Sequence, residues 1–66
     1  MRITFDKEAN ALYIKILEET IAYSKEITPN IIVDFSEDNK PVGIEILNPK
    51  NELNKEEISK LIEALS

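Results

Sequence analysis

Sixty-six residues with a formal net charge of −5 and neither cysteine nor histidine suffice for one domain, 1–66, and exclude disulfides and the common zinc sites. The acidity argues against nucleic-acid binding through phosphates, which needs a basic face, and favours a basic partner if there is one. No charged leader followed by an apolar run opens the chain, so neither a signal peptide nor a membrane span is expected, and the expected location is cytoplasmic.

Five short apolar runs then alternate at period two, as strands with one buried face do. Arg2–Phe5 offers Ile3 and Phe5 to an inner face, and Ala11–Leu17 offers Leu12, Ile14 and Ile16. Ile21–Ile27 offers Ile21, Tyr23 and Ile27, Ile31–Phe35 offers Ile31, Val33 and Phe35, and Val42–Leu47 offers Val42, Ile44 and Ile46. Parity tests each connection. A turn at Asp38-Asn39 sets Phe35, Val33 and Ile31 opposite Val42, Ile44 and Ile46. The loop Thr28-Pro29-Asn30 sets Ile27 opposite Ile31 and Tyr23 opposite Phe35. The loop Asp6–Asn10 lets Phe5 face Leu12 and Ile3 face Ile14. A turn at Glu18-Glu19 sets Ile16 opposite Ile21 and Ile14 opposite Tyr23, although it lacks the Gly or Asn that tolerates positive φ. All four connections match apolar to apolar. The first and last runs then become the sheet edges, with Pro41 guarding the start of the last.

After Asn48-Pro49-Lys50-Asn51 the period becomes helical. Asn54 is an N-cap, Glu57 completes a capping-box-like pair, and Leu53 can staple onto Ile58. Ile58, Leu61, Ile62 and Leu65 form one stripe, whose destination is the inner face of the sheet. The expected fold is α+β: an antiparallel five-stranded β-meander, 1–47, with one C-terminal helix, 54–65, packed on its inner face.

Residues 5–14, Phe5-Asp6-Lys7-Glu8-Ala9-Asn10-Ala11-Leu12-Tyr13-Ile14, together with Ile31-Ile32-Val33-Asp34-Phe35 and Val42-Gly43-Ile44-Glu45-Ile46-Leu47, resemble the YuzE-like family of small uncharacterised prokaryotic proteins (domain of unknown function 2283). The resemblance runs from Met1 to about Asn48. It implies a short prokaryotic protein with no cofactor or catalytic residues to carry over, and it makes an antitoxin-like role a candidate. Family members carry Gly in the two hairpin turns where this chain has Glu18-Glu19 and Asp38-Asn39-Lys40. The Glu and Lys content points weakly to a thermophile, and the plentiful Asn points against one.

Two constellations could carry chemistry. Asp6, Glu8 and Asn10 have the one-three-five spacing of a Ca²⁺ loop, but Ala11 and Leu17 stand where Gly and Glu belong, so these side chains are expected to shape their own loop. On the outer face the meander register aligns Thr4, Tyr13, Ser24, Asp34 and Gly43 in one row, with Glu45 diagonal to Asp34. The carboxylates Asp34 and Glu45, supported by Asp6 or Glu8, are the weak metal candidates. They would underlie the alternative reading of a weak metal- or metabolite-binding protein. No nucleophile has its usual base, so an enzyme is not expected and no cofactor is assigned. Tyr13, Leu17, Ile32 and Leu47 are the interface candidates on that outer face. The favoured expectation is a non-catalytic protein-interaction module, either a homo-oligomer or bound to a small, basic protein.

Overall fold

The computed structural model describes residues 1–49 and 54–66. The expected Leu53 staple and the Lys50-Asn51 part of the bend lie outside those residues. Five strands, β1 (Arg2–Asp6), β2 (Ala11–Lys15), β3 (Tyr23–Thr28), β4 (Ile31–Phe35) and β5 (Pro41–Leu47), precede the helix α1 (Lys55–Leu65). All neighbouring strands are antiparallel, and the fold is α+β.

The strand order is β1-β2-β5-β4-β3, which corrects the expected meander. Three of the four expected pairings form. Ile3 faces Ile14 and Phe5 faces Leu12, Tyr23 faces Phe35, and Val33 and Ile31 face Ile44 and Ile46. The fourth does not: β2 pairs with β5, so Ile14 meets Ile44 in place of Tyr23. The chain after β2 passes beyond the ends of β5 and β4 to reach β3. Followed from β5 back to β2, the four strands have Greek-key order. Two bulges also adjust the register. One leaves Ile27 without the expected partner, so that Thr28 faces Ile31, and the other sets Phe35 opposite Pro41 instead of Val42.

This order puts each strand where its composition suits it. In β5, Val42, Gly43, Ile44 and Ile46 are all buried, as befits a strand flanked on both sides. The edges are β1 and β3, not β1 and β5. Strand β3, with Lys25 and Glu26 exposed and a bulge near its end, carries the usual defences of an edge. Left-handed backbone occurs at Asn10, Asn39 and Asn48, all asparagines, the non-glycine residue that most readily tolerates it. At the first and last of these, Asn48 N–H donates to Asn10 O at 2.9 Å and Asn10 Nδ2 donates to Asn48 Oδ1 at 3.1 Å.

The buried cluster is Ile31, Val33, Phe35, Ile44 and Ile46, with Leu61 and Leu65 of α1 packed on it. The N-cap forms as expected, with Glu57 N–H donating to Asn54 Oδ1 at 2.8 Å. The Glu57 carboxylate accepts from Thr28 Oγ1 at 3.2 Å and ties the helix start to the end of β3.

The helix therefore lies over the β3 side of the sheet. A helix is about 10–12 Å wide, whereas β1 lies four strand spacings, roughly 19 Å, from β3. One helix cannot cover both. Ile3 and Phe5 occupy the inner face as expected but are 63% and 47% exposed, which corrects their assignment to the core. On the helix stripe, Ile58 and Ile62 are 42% and 60% exposed, because the helix contacts chiefly the edge strand β3 and not the middle of the sheet.

Candidate functional site

The outer face carries the polar residues that the sequence singles out, in an altered arrangement. Because β2 pairs with β5, the expected single row splits in two. Lys15, Gly43, Asp34 and Ser24 follow one another across β2, β5, β4 and β3. Thr4, Tyr13, Glu45, Ile32 and Glu26 form the adjacent row. Tyr13 then reaches Asp34 diagonally, across β5.

Gly43 makes that reach feasible. A Cβ at Gly43 would fall against the Tyr13 hydroxyl and ring, so the tyrosine lies directly over the glycine backbone. Tyr13 Oη donates to Asp34 Oδ2 at 2.8 Å, and Ser24 Oγ donates to Asp34 Oδ1 at 2.6 Å. The carboxylate is nearly buried, at 9% exposure, and both its oxygens accept from hydroxyls. Hydrogen bonds to a charged acceptor are the stronger kind. Three strands, β2, β4 and β3, are thereby stitched together across a fourth.

Burial, then the hydrogen bond to Asp34, then the negative charges of Asp34 and Glu45 push the Tyr13 hydroxyl up to about 12. Tyr13 therefore keeps the proton it donates to Asp34 well into the alkaline range. Since the folded value lies above the ordinary value near 10, the unfolded chain ionises first as pH rises. The stabilisation from Tyr13 is thus fully present below about pH 10 and is lost towards pH 12. Thermal melts of the native protein and Tyr13→Phe across this range should show the native protein losing more stability than the variant. Parallel losses would show that the Tyr13 hydroxyl is not held by Asp34.

Among the described residues, no group of three or more Asp or Glu side chains could hold a metal ion. Asp34 lies diagonal to Glu45, with Gly43 and Ile32 as their respective cross-strand partners. Asp6 and Glu8 are at the far end of the β1–β2 hairpin. There Asp6 Oδ1 accepts from Glu8 N–H at 3.0 Å and Ala9 N–H at 3.2 Å. Together with the bond from Asn10 to Asn48, these contacts make the segment a self-shaped loop. With its two hydroxyl donors in place, the outer cluster works as a structural clamp.

The four interface candidates on the outer face, Tyr13, Leu17, Ile32 and Leu47, are all half-buried. Apolar exposure is concentrated elsewhere, at Met1, Ile3, Phe5, Ile21, Tyr23, Ile58 and Ile62. A groove of about 620 Å³ runs between β3 and α1, lined in part by Tyr23, Lys25, Phe35, Lys60 and Glu63. Its aromatic wall is fixed. Tyr23 stacks on Phe35 with ring centroids 5.2 Å apart, and its hydroxyl donates to Asn39 Oδ1 at 2.7 Å. Sequence patterning missed the exposure of Ile58 and Ile62. Nothing in the helix pattern itself signals it, because the exposure follows from the helix lying over the edge strand β3.

No described helix is long and apolar enough to cross a membrane. Comparison with protein families matches residues 2–50 to the family described as protein of unknown function (DUF2283). No curated protein and no solved structure matches the chain.

Proposed function

Because the chain belongs to the DUF2283 family, whose description assigns no activity, we propose its function from the geometry alone: a small non-catalytic protein-interaction module. One observation carries this reading. The inner side of the molecule leaves Ile3 and Phe5 on β1, and Ile58 and Ile62 on α1, between 42% and 63% exposed. Large apolar side chains concentrated on one side of so small a domain favour contact with another protein surface. An antitoxin-like role is one form such a module could take, and a basic partner would suit its net charge of −5.

The alternative, metal or metabolite binding through the outer-face carboxylates, has less support, because the Asp34 oxygens already accept from Tyr13 and Ser24. Catalysis also lacks support: the serine and tyrosine of the cluster both donate to the same carboxylate, and no histidine is present to serve as a base.

Site-directed photo-crosslinking tests the interaction reading. A benzophenone side chain at Phe5 or Ile62, introduced in the native host, should yield an adduct of one discrete mass. The same group at Lys7, on the β1–β2 loop, should not. No discrete adduct from either position would remove the interaction reading.

A further inference from the structure

We infer that the partner of the β1 edge is a second copy of this chain, joined by antiparallel pairing of the two β1 strands about a twofold axis at Thr4. This rests on the interaction reading above and names its partner.

The first observation is that β1 is a bare edge. All five of its residues are exposed, it has no proline, and its register with β2 runs unbroken from Arg2 to Asp6. The opposite edge, β3, is blunted by its bulge and charges and lies beside the helix. An unprotected edge offers a row of unpaired N–H and C=O groups to another strand.

The second observation fixes which groups those are. Ile16 N–H donates to Val42 O, and Asn48 N–H donates to Asn10 O. The even-numbered residues of β2 therefore turn their backbone groups towards β5, and the odd-numbered ones turn theirs towards β1. Since Arg2, Thr4 and Asp6 face Lys15, Tyr13 and Ala11, their backbone groups point to β2. Those of Ile3 and Phe5 point outward. Antiparallel pairing centred on Thr4 sets each outward-facing Ile3 opposite an outward-facing Phe5 of the second copy. Such a pair exchanges two hydrogen bonds, and the twofold axis repeats them.

The third observation is charge complementarity. The same register sets Arg2 opposite Asp6 of the second copy, twice by symmetry, in the non-hydrogen-bonded pairs whose side chains approach most closely. Among the described residues, neither side chain is fully committed within one copy. Arg2 makes a long, exposed contact with Glu18 at 3.9 Å, and Asp6 uses Oδ1 in its loop. Sliding the register by two residues keeps the faces matched but loses both ion pairs. On the inner side, Ile3 and Phe5 of both copies then form one apolar patch, so the exposed strip is partly covered. Self-complementarity of this kind is what an isologous dimer requires.

Charge exchange tests the proposal by sedimentation equilibrium. The native protein should sediment at twice 7.6 kDa. Arg2→Glu and Asp6→Lys should each weaken self-association by roughly ten- to a hundredfold, since each change makes two repulsive contacts. Mixed in equal amounts, the two variants should regain the dimer, because each introduced glutamate would then meet an introduced lysine and each remaining Asp6 an Arg2. Should Asp6→Lys fail to fold for want of its loop bonds, Thr4→Lys serves instead. It brings two ammonium groups together at the axis and should yield a folded monomer. A native protein that stays monomeric at every concentration, or an Arg2→Glu variant that associates as tightly as the native chain, overturns the proposal. A monomer that nonetheless gives a discrete crosslinked adduct of another mass removes the second copy as partner while leaving the interaction reading intact.

Discussion

Replacing Gly43 by valine is expected to be among the most damaging single substitutions on the outer face, although valine ordinarily favours strands. The new side chain would occupy the space where Tyr13 crosses β5. Tyr13 must then swing away from Asp34, and its 2.8 Å bond to the carboxylate is lost. A hydrogen bond to a charged group contributes about 1.5–3 kcal/mol, and exposing part of the ring adds about 1 kcal/mol. Relief of glycine's backbone entropy offsets up to about 1 kcal/mol. The net cost is about 2–3 kcal/mol, which in a domain of this size lowers Tm by roughly 10–20 °C. The coupling gives a sharper criterion. With Tyr13→Ala already in place the three atoms nearest the new Cβ are gone, so the same valine should cost much less than it does in the native background. An equal cost in both backgrounds would show that the clash with Tyr13 is not the cause.

Gly43 also marks what patterning along the chain can and cannot reveal. Alternation assigns faces reliably: Ile3 and Ile14, Tyr23 and Phe35, Val33 and Ile44 all meet as parity requires. It does not choose partners. Ile14 finds an equally apolar neighbour in Tyr23 or in Ile44, so parity permits β2 to lie beside β3 or β5. The discriminating signals were chemical. Glu18-Glu19 lacks a residue suited to positive φ, whereas two of the three connections that do fold back, β1–β2 and β4–β5, place Asn10 and Asn39 there. Ser24-Lys25-Glu26 suits an edge and Val42-Gly43-Ile44 an interior strand.

The outer cluster was readable as a set of residues, since Tyr13, Ser24, Asp34 and Gly43 do come together. Its construction was not. Only with β5 between β2 and β4 does the glycine become the floor beneath the tyrosine. Exposure of the helix stripe was hidden for a different reason. Ile58, Leu61, Ile62 and Leu65 form the same pattern whether the helix lies over the middle of the sheet or over its edge, and of these Leu61 and Leu65 pack on the buried cluster.

Amide hydrogen exchange along β1, followed as protein concentration rises, reads the bare edge most directly. In a single copy the Ile3 and Phe5 amides point away from β2 and should exchange at rates close to those of an open loop. Paired with a second copy, both amides are hydrogen-bonded across the twofold axis. Their exchange should slow by at least roughly tenfold once the dimer dominates, because exchange then waits for the fraction of open chains. The Thr4 amide, already bonded to β2, should be protected at every concentration and serves as an internal reference. Slowing confined to Ile3 and Phe5 is the expected result. Exchange at these two amides that stays fast and independent of concentration would contradict pairing of the β1 edges.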